Sequence, residues 1–219
     1  RDRHLHATAL WAIVPGELRR LPYLDIAARF PRDYGWMFPA MVATLLCLAF
    51  VLALNARAVE PRRLLAQLGT VLGGMAALTL VGDYFVQLAV VQPSVLAREV
   101  DGLALLTQYN PHGLFIALEE LGYLLLSLSL ACLALALPGA RRLERVVRRL
   151  FVGGLVVNAG ALAAIALRFG HSRGYLFEIA VITVDWLVII VGSFLMAAVF
   201  RRDLRNGESD LAPRREGAV

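Results

Sequence analysis

The sequence contains no lysine, only two cysteines and few charged residues. Charged residues occupy 18% of the 219 positions and hydrophobic residues 59%, whereas soluble domains contain about 45 to 50% apolar residues. This composition argues against a soluble protein, and the mean hydropathy of +0.67 agrees. Arginine supplies all 22 basic side chains, so the absence of lysine removes no charge and carries no mechanistic information.

The two cysteines, Cys47 and Cys132, both lie in apolar segments. They therefore indicate small core side chains rather than a disulfide. The sequence has no zinc-binding spacing, phosphate loop, dinucleotide motif or nucleophile elbow, so it predicts no metal site and no cofactor and does not support a soluble type of enzyme. Nucleic acid is not expected as a partner either, because the arginines form short clusters between apolar segments instead of one basic face.

Five apolar segments are long enough to cross a bilayer. They are residues 36–55, 64–91, 113–137, 150–167 and 175–200. The first carries no charge and, at about 1.5 Å per residue, reaches about 30 Å, the thickness of the hydrocarbon layer. None alternates like a barrel strand, and helices satisfy every backbone amide within lipid. The sequence thus predicts an all-α, polytopic transmembrane bundle of five spanning helices in the cell (inner or plasma) membrane.

The arginines predict how the chain is oriented. Clusters follow the first, third and fifth segments: Arg57, Arg62 and Arg63; Arg141, Arg142, Arg145, Arg148 and Arg149; and Arg201, Arg202, Arg205, Arg214 and Arg215. The two intervening connections hold few basic residues. Since cytoplasmic loops are rich in arginine, we expect the amino end outside and the carboxyl end inside the cell.

These features divide the chain into three parts: an exterior or interfacial segment 1–35, a transmembrane domain 36–200 and a disordered cytoplasmic tail 201–219. The apolar run 7–14 is too short to span the membrane. It is either an additional interfacial helix or the remnant of a truncated span, and whether a span precedes residue 1 stays open.

Acidic side chains inside the apolar segments are the main clue to function. They are Asp83, Glu119, Glu120, Glu178 and Asp185. A charge at the bilayer centre costs roughly 2.5 to 3.5 kcal/mol on insertion scales, so such residues usually face the interior of a bundle. A purely structural role is the alternative, but an interhelical hydrogen bond stabilises a bundle by only about 0.6 kcal/mol, which is less than the cost of inserting the charge. Either some of these acids stay protonated, or an external cation neutralises them.

Helical spacing groups the polar residues by face. Asp83 and Gln87 share one face, as do His112, Glu119 and Tyr123 on the next spanning segment. Counting from the helix ends places most of them in the outer half of the membrane, with two near the midplane and Arg168 as a counter-ion at the outer end. The predicted binding or proton-relay residues are Asp83, Gln87, His112, Glu119, Glu120, Tyr123, Asn158, Arg168, Glu178 and Asp185.

An outward-facing acidic cavity formed by these residues predicts binding or transport of a small solute, linked to a proton or another cation. Two alternatives stay open: a membrane-embedded enzyme acting on a lipid or sterol-like substrate, in which a carboxyl is the general acid, and a non-catalytic sensor or assembly subunit. The expected partners are the lipid bilayer and an unknown small solute, proton or cation. The oligomeric state is not determined by the sequence.

Four short runs resemble those of an uncharacterised group of bacterial multi-pass membrane proteins. The runs are 82–87 (GDYFVQ), 91–94 (VQPS), 109–113 (YNPHG) and 119–123 (EELGY). The resemblance covers spans two to five and implies a multi-pass membrane location. It implies no activity.

Overall fold

The computed structural model describes residues 34–99, 101–170 and 174–211, with side chains up to residue 205. Five helices in this part of the chain are long and apolar enough to cross a membrane. We label them α1 (Met37–Asn55), α2 (Arg63–Val86), α3 (Leu114–Ala136), α4 (Arg142–Phe169) and α5 (Leu176–Leu211). No strand occurs among the described residues, and the predicted all-α bundle of five spanning helices is confirmed. Residues 1–33, most of the predicted amino-terminal segment, lie outside them.

Three helix boundaries differ from those expected. α2 passes directly into a π-helical turn, Gln87–Val91, and then into a short α-helical segment, Gln92–Ala97, so the helical path does not end at residue 91. Proline removes a helix hydrogen bond and crowds the preceding turn, and the wide π turn just before Pro93 accommodates it. α4 begins earlier than expected, at Arg142, and α5 extends past residue 200 to Leu211. Tail residues 212–219 lie outside the described part.

Helix α3 is the centre of the bundle. It packs against α1, α2, α4 and α5. In the most apolar stretch of α3, 61% of the residues are buried, compared with 17% in that of α1. Large apolar side chains such as Phe38, Leu64 and Phe194 remain exposed on the surrounding helices. An exposed apolar surface of this kind suits contact with a lipid bilayer.

Small residues let α2 and α3 approach closely. The Ser129 hydroxyl donates a hydrogen bond of 2.6 Å to the carbonyl oxygen of Gly69. A Cβ atom added at Gly73 would lie 2.9 Å from Ser129 Oγ and 2.9 Å from Val51 Cγ1, so only glycine fits between α1, α2 and α3 at this position. Close packing replaces the hydrophobic effect as the main attraction between helices in lipid.

Ion pairs join three helix ends on the arginine-rich side of the bundle. The Arg57 guanidinium, just after α1, lies 3.1 Å from Glu144 Oε1 near the start of α4 and also pairs with Asp203 of α5. Arg141 pairs with the same Asp203. The connections after α1 and α3 and the end of α5 therefore lie on the same side, as the alternation of arginine clusters predicts. Which side of the membrane this is stays a prediction.

The contacts at Gly73 yield a stability prediction with an adjacent control. Gly73→Ala should destabilise the protein by about 1 to 3 kcal/mol, the usual cost of overpacking, because the methyl group must push α1 or α3 away. Gly74→Ala should leave stability unchanged or raise it slightly, since nothing lies within 4 Å of a Cβ there. Thermal unfolding of the purified protein in detergent measures both, and equal midpoints would contradict the close approach.

Candidate functional site

The intramembrane polar residues form two groups at different depths. We call Asp83, Tyr84, Glu119, Tyr123 and Glu178 the outer polar cluster, because they lie toward the end of the bundle away from the arginine-rich side. We call Ser127, Asn158 and Asp185 the deep polar cluster. Along α3, the deep cluster lies about 12 Å beyond Glu119, at about 1.5 Å per residue. The two groups share α3 and α5 but are built from different contacts.

Glu119 is the central residue of the outer polar cluster. It is 2% exposed, and its Oε1 accepts a hydrogen bond of 2.7 Å from the hydroxyl of Tyr84 on α2. Its carboxyl group is also close enough to that of Glu178, in the first turn of α5, for the two charges to interact, and its Oε2 has no hydrogen-bond partner among the described residues. Two neighbouring carboxylates repel each other within a membrane, so a proton or a cation that reached this pair would be stabilised between two helices.

Asp83 lies behind Glu119, one position before Tyr84 on α2. It is buried, its charge is close enough to interact with that of Glu119, and its Oδ2 has no hydrogen-bond donor among the described residues. Tyr123, one turn beyond Glu119 on α3, interacts with Tyr84 and with Trp186 of α5. The outer polar cluster thus joins α2, α3 and α5.

A cavity of about 420 Å³ lies against the outer polar cluster. Its lining is Trp36, Pro39, Ala40 and Ala43 from α1 and the residue before it, Tyr84 from α2, Glu119 and Tyr123 from α3, and Glu178, Ile182 and Trp186 from α5. α1 packs on α2 and α3, while α5 packs on α3 and α4. The cavity therefore lies between α1 and α5. The two tryptophans among its described lining residues, Trp36 and Trp186, are 42% and 37% exposed.

No protein-family model, curated protein or solved structure matches this chain. The side chains of the site therefore provide the basis for its chemistry. No group of three or more histidine, cysteine or acidic side chains is arranged to hold a metal ion within the ranges that the structure describes. The cavity is lined by a pair of carboxyl groups, phenol hydroxyls and aromatic faces. Such groups can bind protons and cations.

The deep polar cluster is enclosed within the bundle, and two of its oxygens, Asp185 Oδ2 and Asn158 Oδ1, have no hydrogen-bond partner among the described residues. The Ser127 hydroxyl donates to Asp185 Oδ1 over 2.5 Å, and Asn158 Nδ2 lies 2.8 Å from the same oxygen and 2.9 Å from Ser127 Oγ. Asp185 and Asn158 are fully buried, and neither lines the cavity. Asp185 thus has its own partners on α3 and α4, and the structure does not bring it together with Glu119 as the sequence analysis expected.

Gln87 holds the connection between the α2 path and α3 in place. Its Nε2 donates to the carbonyl oxygen of Leu106 over 2.6 Å, and its Oε1 accepts from the backbone N–H of Gln108 over 3.2 Å. Both partners belong to the connection between the α2 path and α3. Gln87 is 1% exposed and sits in the π turn, so it ties this connection to the helix end and does not line the cavity.

The remaining three candidates also lie away from the cavity. His112 is exposed, and its backbone N–H donates to the side chain of Asn110 over 3.0 Å. Arg168 is exposed, with its guanidinium 5.8 Å from the centre of the Phe169 ring, so it is not placed as a counter-ion to the outer polar cluster. Glu120 is buried but points to another side of α3 than the cavity, as adjacent helical positions require.

Sequence reasoning missed two residues that hold the clusters together. Ser127 was identifiable, because Glu119, Tyr123 and Ser127 step by four along α3 and so share one face. Tyr84 gave a weaker signal, since it follows Asp83 directly and helical geometry turns it about 100° away. Its contact with Glu119 depends on how α2 and α3 pack, which spacing within one helix does not reveal.

Replacements of Asp185 test whether the deep polar cluster is structural. Asp185→Asn keeps an oxygen acceptor for Ser127 and Asn158 and should preserve the unfolding midpoint. Asp185→Leu removes the acceptor of the buried Ser127 hydroxyl and one of the two acceptors of Asn158 Nδ2, and it should destabilise the protein by about 1 to 3 kcal/mol. Thermal unfolding in detergent measures the difference. An Asp185→Asn variant as unstable as Asp185→Leu would show that the negative charge, not the hydrogen bonding, is required.

Proposed function

We propose that this protein binds, and moves across the membrane, a small solute in exchange for, or together with, a proton or another cation. The observation that carries the proposal is the meeting of the Glu119 and Glu178 carboxyls, from two helices, at a cavity of about 420 Å³. Ligand cavities in proteins commonly have volumes of about 300 to 1,000 Å³ and a few polar groups on a mainly apolar wall.

We infer that Glu119 and Glu178 share a proton, which links the cavity to cations. Within the membrane, two adjacent carboxylates are costly unless a proton or a cation compensates their charge. A cation that enters the cavity therefore displaces a proton, and a proton that returns displaces the cation. Tyr84 keeps one oxygen of Glu119 in place throughout, since its hydroxyl is a donor in either state.

The deep polar cluster supports passage in addition to binding. It lies on α3, α4 and α5, farther along the same two helices that carry Glu119 and Glu178, toward the arginine-rich end. Polar groups inside membrane helices commonly mark the route of an ion or a proton. A conformational change that separates α5 from α3 would open Asp185 to the cavity.

Proton-coupled flux in liposomes tests the proposal. Reconstituted protein with an entrapped pH-sensitive dye should collapse an imposed pH gradient faster when one member of a panel of neutral, anionic and cationic solutes is added. Glu119→Gln should slow this solute-dependent collapse by roughly tenfold or more, because the amide keeps an acceptor for Tyr84 but holds no exchangeable proton. The control, Glu99→Gln, changes an exposed carboxyl of the connection after α2 and should behave as the wild type.

Wild-type liposomes that match empty liposomes for every solute would overturn the proposal. So would a Glu119→Gln variant that has full solute-dependent flux.

The lateral position of the cavity favours one alternative, a membrane-embedded enzyme for a lipid or sterol-like substrate. The cavity lies between two helices with lipid-facing surfaces, and a protonated Glu178 beside Tyr123 has the properties of a general acid. In that case mass spectrometry of the purified protein should find a specific lipophilic molecule that is absent from Glu178→Gln preparations. Equal lipid profiles in both preparations would remove this alternative.

A further inference from the structure

We propose that the ligand of the cavity is a lipophilic organic cation: an amine, quaternary ammonium or phosphonium group on an apolar or aromatic body. This inference rests on the proposed function and names its class of substrate. It follows from three properties of the cavity, namely its aromatic wall, its net charge and its position between α1 and α5.

Aromatic side chains form much of the cavity wall. Trp36, Tyr84, Tyr123 and Trp186 all line it, together with the apolar surface of α1 and Ile182. The faces of these rings attract cations, with tryptophan the strongest, and they also cover apolar bodies. A sugar or another highly polar neutral solute would need many hydrogen-bonding partners, and this wall supplies only two phenols, two indole N–H groups and two carboxyls.

The charge of the cavity selects the sign of the ligand. Glu119 and Glu178 line it, and Asp83 lies behind Glu119, whereas no basic side chain is among its described lining residues. The described arginines nearest the same end, Arg98 and Arg168, are both exposed. An anionic ligand would be repelled by the carboxylates, while a cation would compensate their charge.

The position of the cavity suits a molecule that partitions into lipid. Its rim residues on α1 and α5 adjoin exposed apolar side chains, including Phe38, Val42 and Leu187. A cation with a large apolar body concentrates in the interfacial region of a bilayer and can reach Glu178, in the first turn of α5, from the side. A small hydrated ion has no comparable advantage from this route.

Two probes of matched size and shape but opposite charge test the inference. Tetraphenylphosphonium and tetraphenylborate are offered to the full chain in detergent, with radiolabelled phosphonium followed by equilibrium dialysis against protein-free micelles. We expect saturable phosphonium binding that is displaced by unlabelled phosphonium, and no saturable binding of tetraphenylborate in a separate dialysis, because the two ions precipitate when they are mixed. Glu178→Gln should weaken binding by roughly tenfold, as the loss of one charge at close range predicts, and Glu99→Gln should leave it unchanged.

A second pair of variants examines the aromatic wall. Trp186→Leu should weaken phosphonium binding several-fold, and Trp186→Phe should retain most of it, because a phenyl ring keeps an aromatic face. Unfolding midpoints of all variants, measured without ligand, show whether each is folded. Because Glu178 is only half-buried and Glu119 keeps its bond to Tyr84, Glu178→Gln is the variant expected to fold as the wild type.

Absence of saturable phosphonium binding would overturn the inference, as would equally tight saturable binding of tetraphenylborate measured separately or unchanged affinity in Glu178→Gln. These failures are distinguishable from failure of the proposed function. If a neutral or anionic solute drives Glu119-dependent proton flux in liposomes while phosphonium does not bind, the proposed function stands and only the substrate class is wrong.

Discussion

A carboxyl group within the hydrocarbon layer needs a hydrogen-bond donor, a proton or a cation, and this need governs how the helices of this protein meet. Glu119 meets it through the hydroxyl of Tyr84 on α2, while Asp185 meets it through Ser127 of α3 and Asn158 of α4. In both places the hydrogen-bond donor comes from another helix. Helix α3 contributes to both, which accounts for its central position.

Acidic side chains have different interaction partners at the two ends of the bundle. At the arginine-rich end, Glu144 and Asp203 each pair with a guanidinium group, and this arrangement fastens α1, α4 and α5 together. In the outer polar cluster, the partners of Glu119 among the described residues are a phenol and another carboxyl. A carboxylate paired with arginine is satisfied and needs no further ligand. A pair of carboxyls beside a cavity can exchange a proton for a cation, and for this reason we place function there.

Much of this organisation could be predicted from the sequence. The thickness of the hydrocarbon layer and the need to satisfy backbone amides require five long helices from five apolar segments, and the structure has them. The period of the helix also places Glu119 and Tyr123 on one face, and both line the cavity. These properties are local, since each depends only on residues within one segment.

The tertiary structure determines which of the polar residues come together at the site. Glu178 and Asp185 are seven residues apart on α5 and share a face, yet Glu178 reaches Glu119 while Asp185 reaches Ser127. Spacing gives the direction of a side chain, but the height at which it meets a neighbour depends on how far one helix is shifted along another. The cavity itself exists because α1 packs on α2 and α3 and leaves a space before α5. The sequence by itself determined the helices and their polar faces, and only their packing selected which carboxyls meet at the cavity.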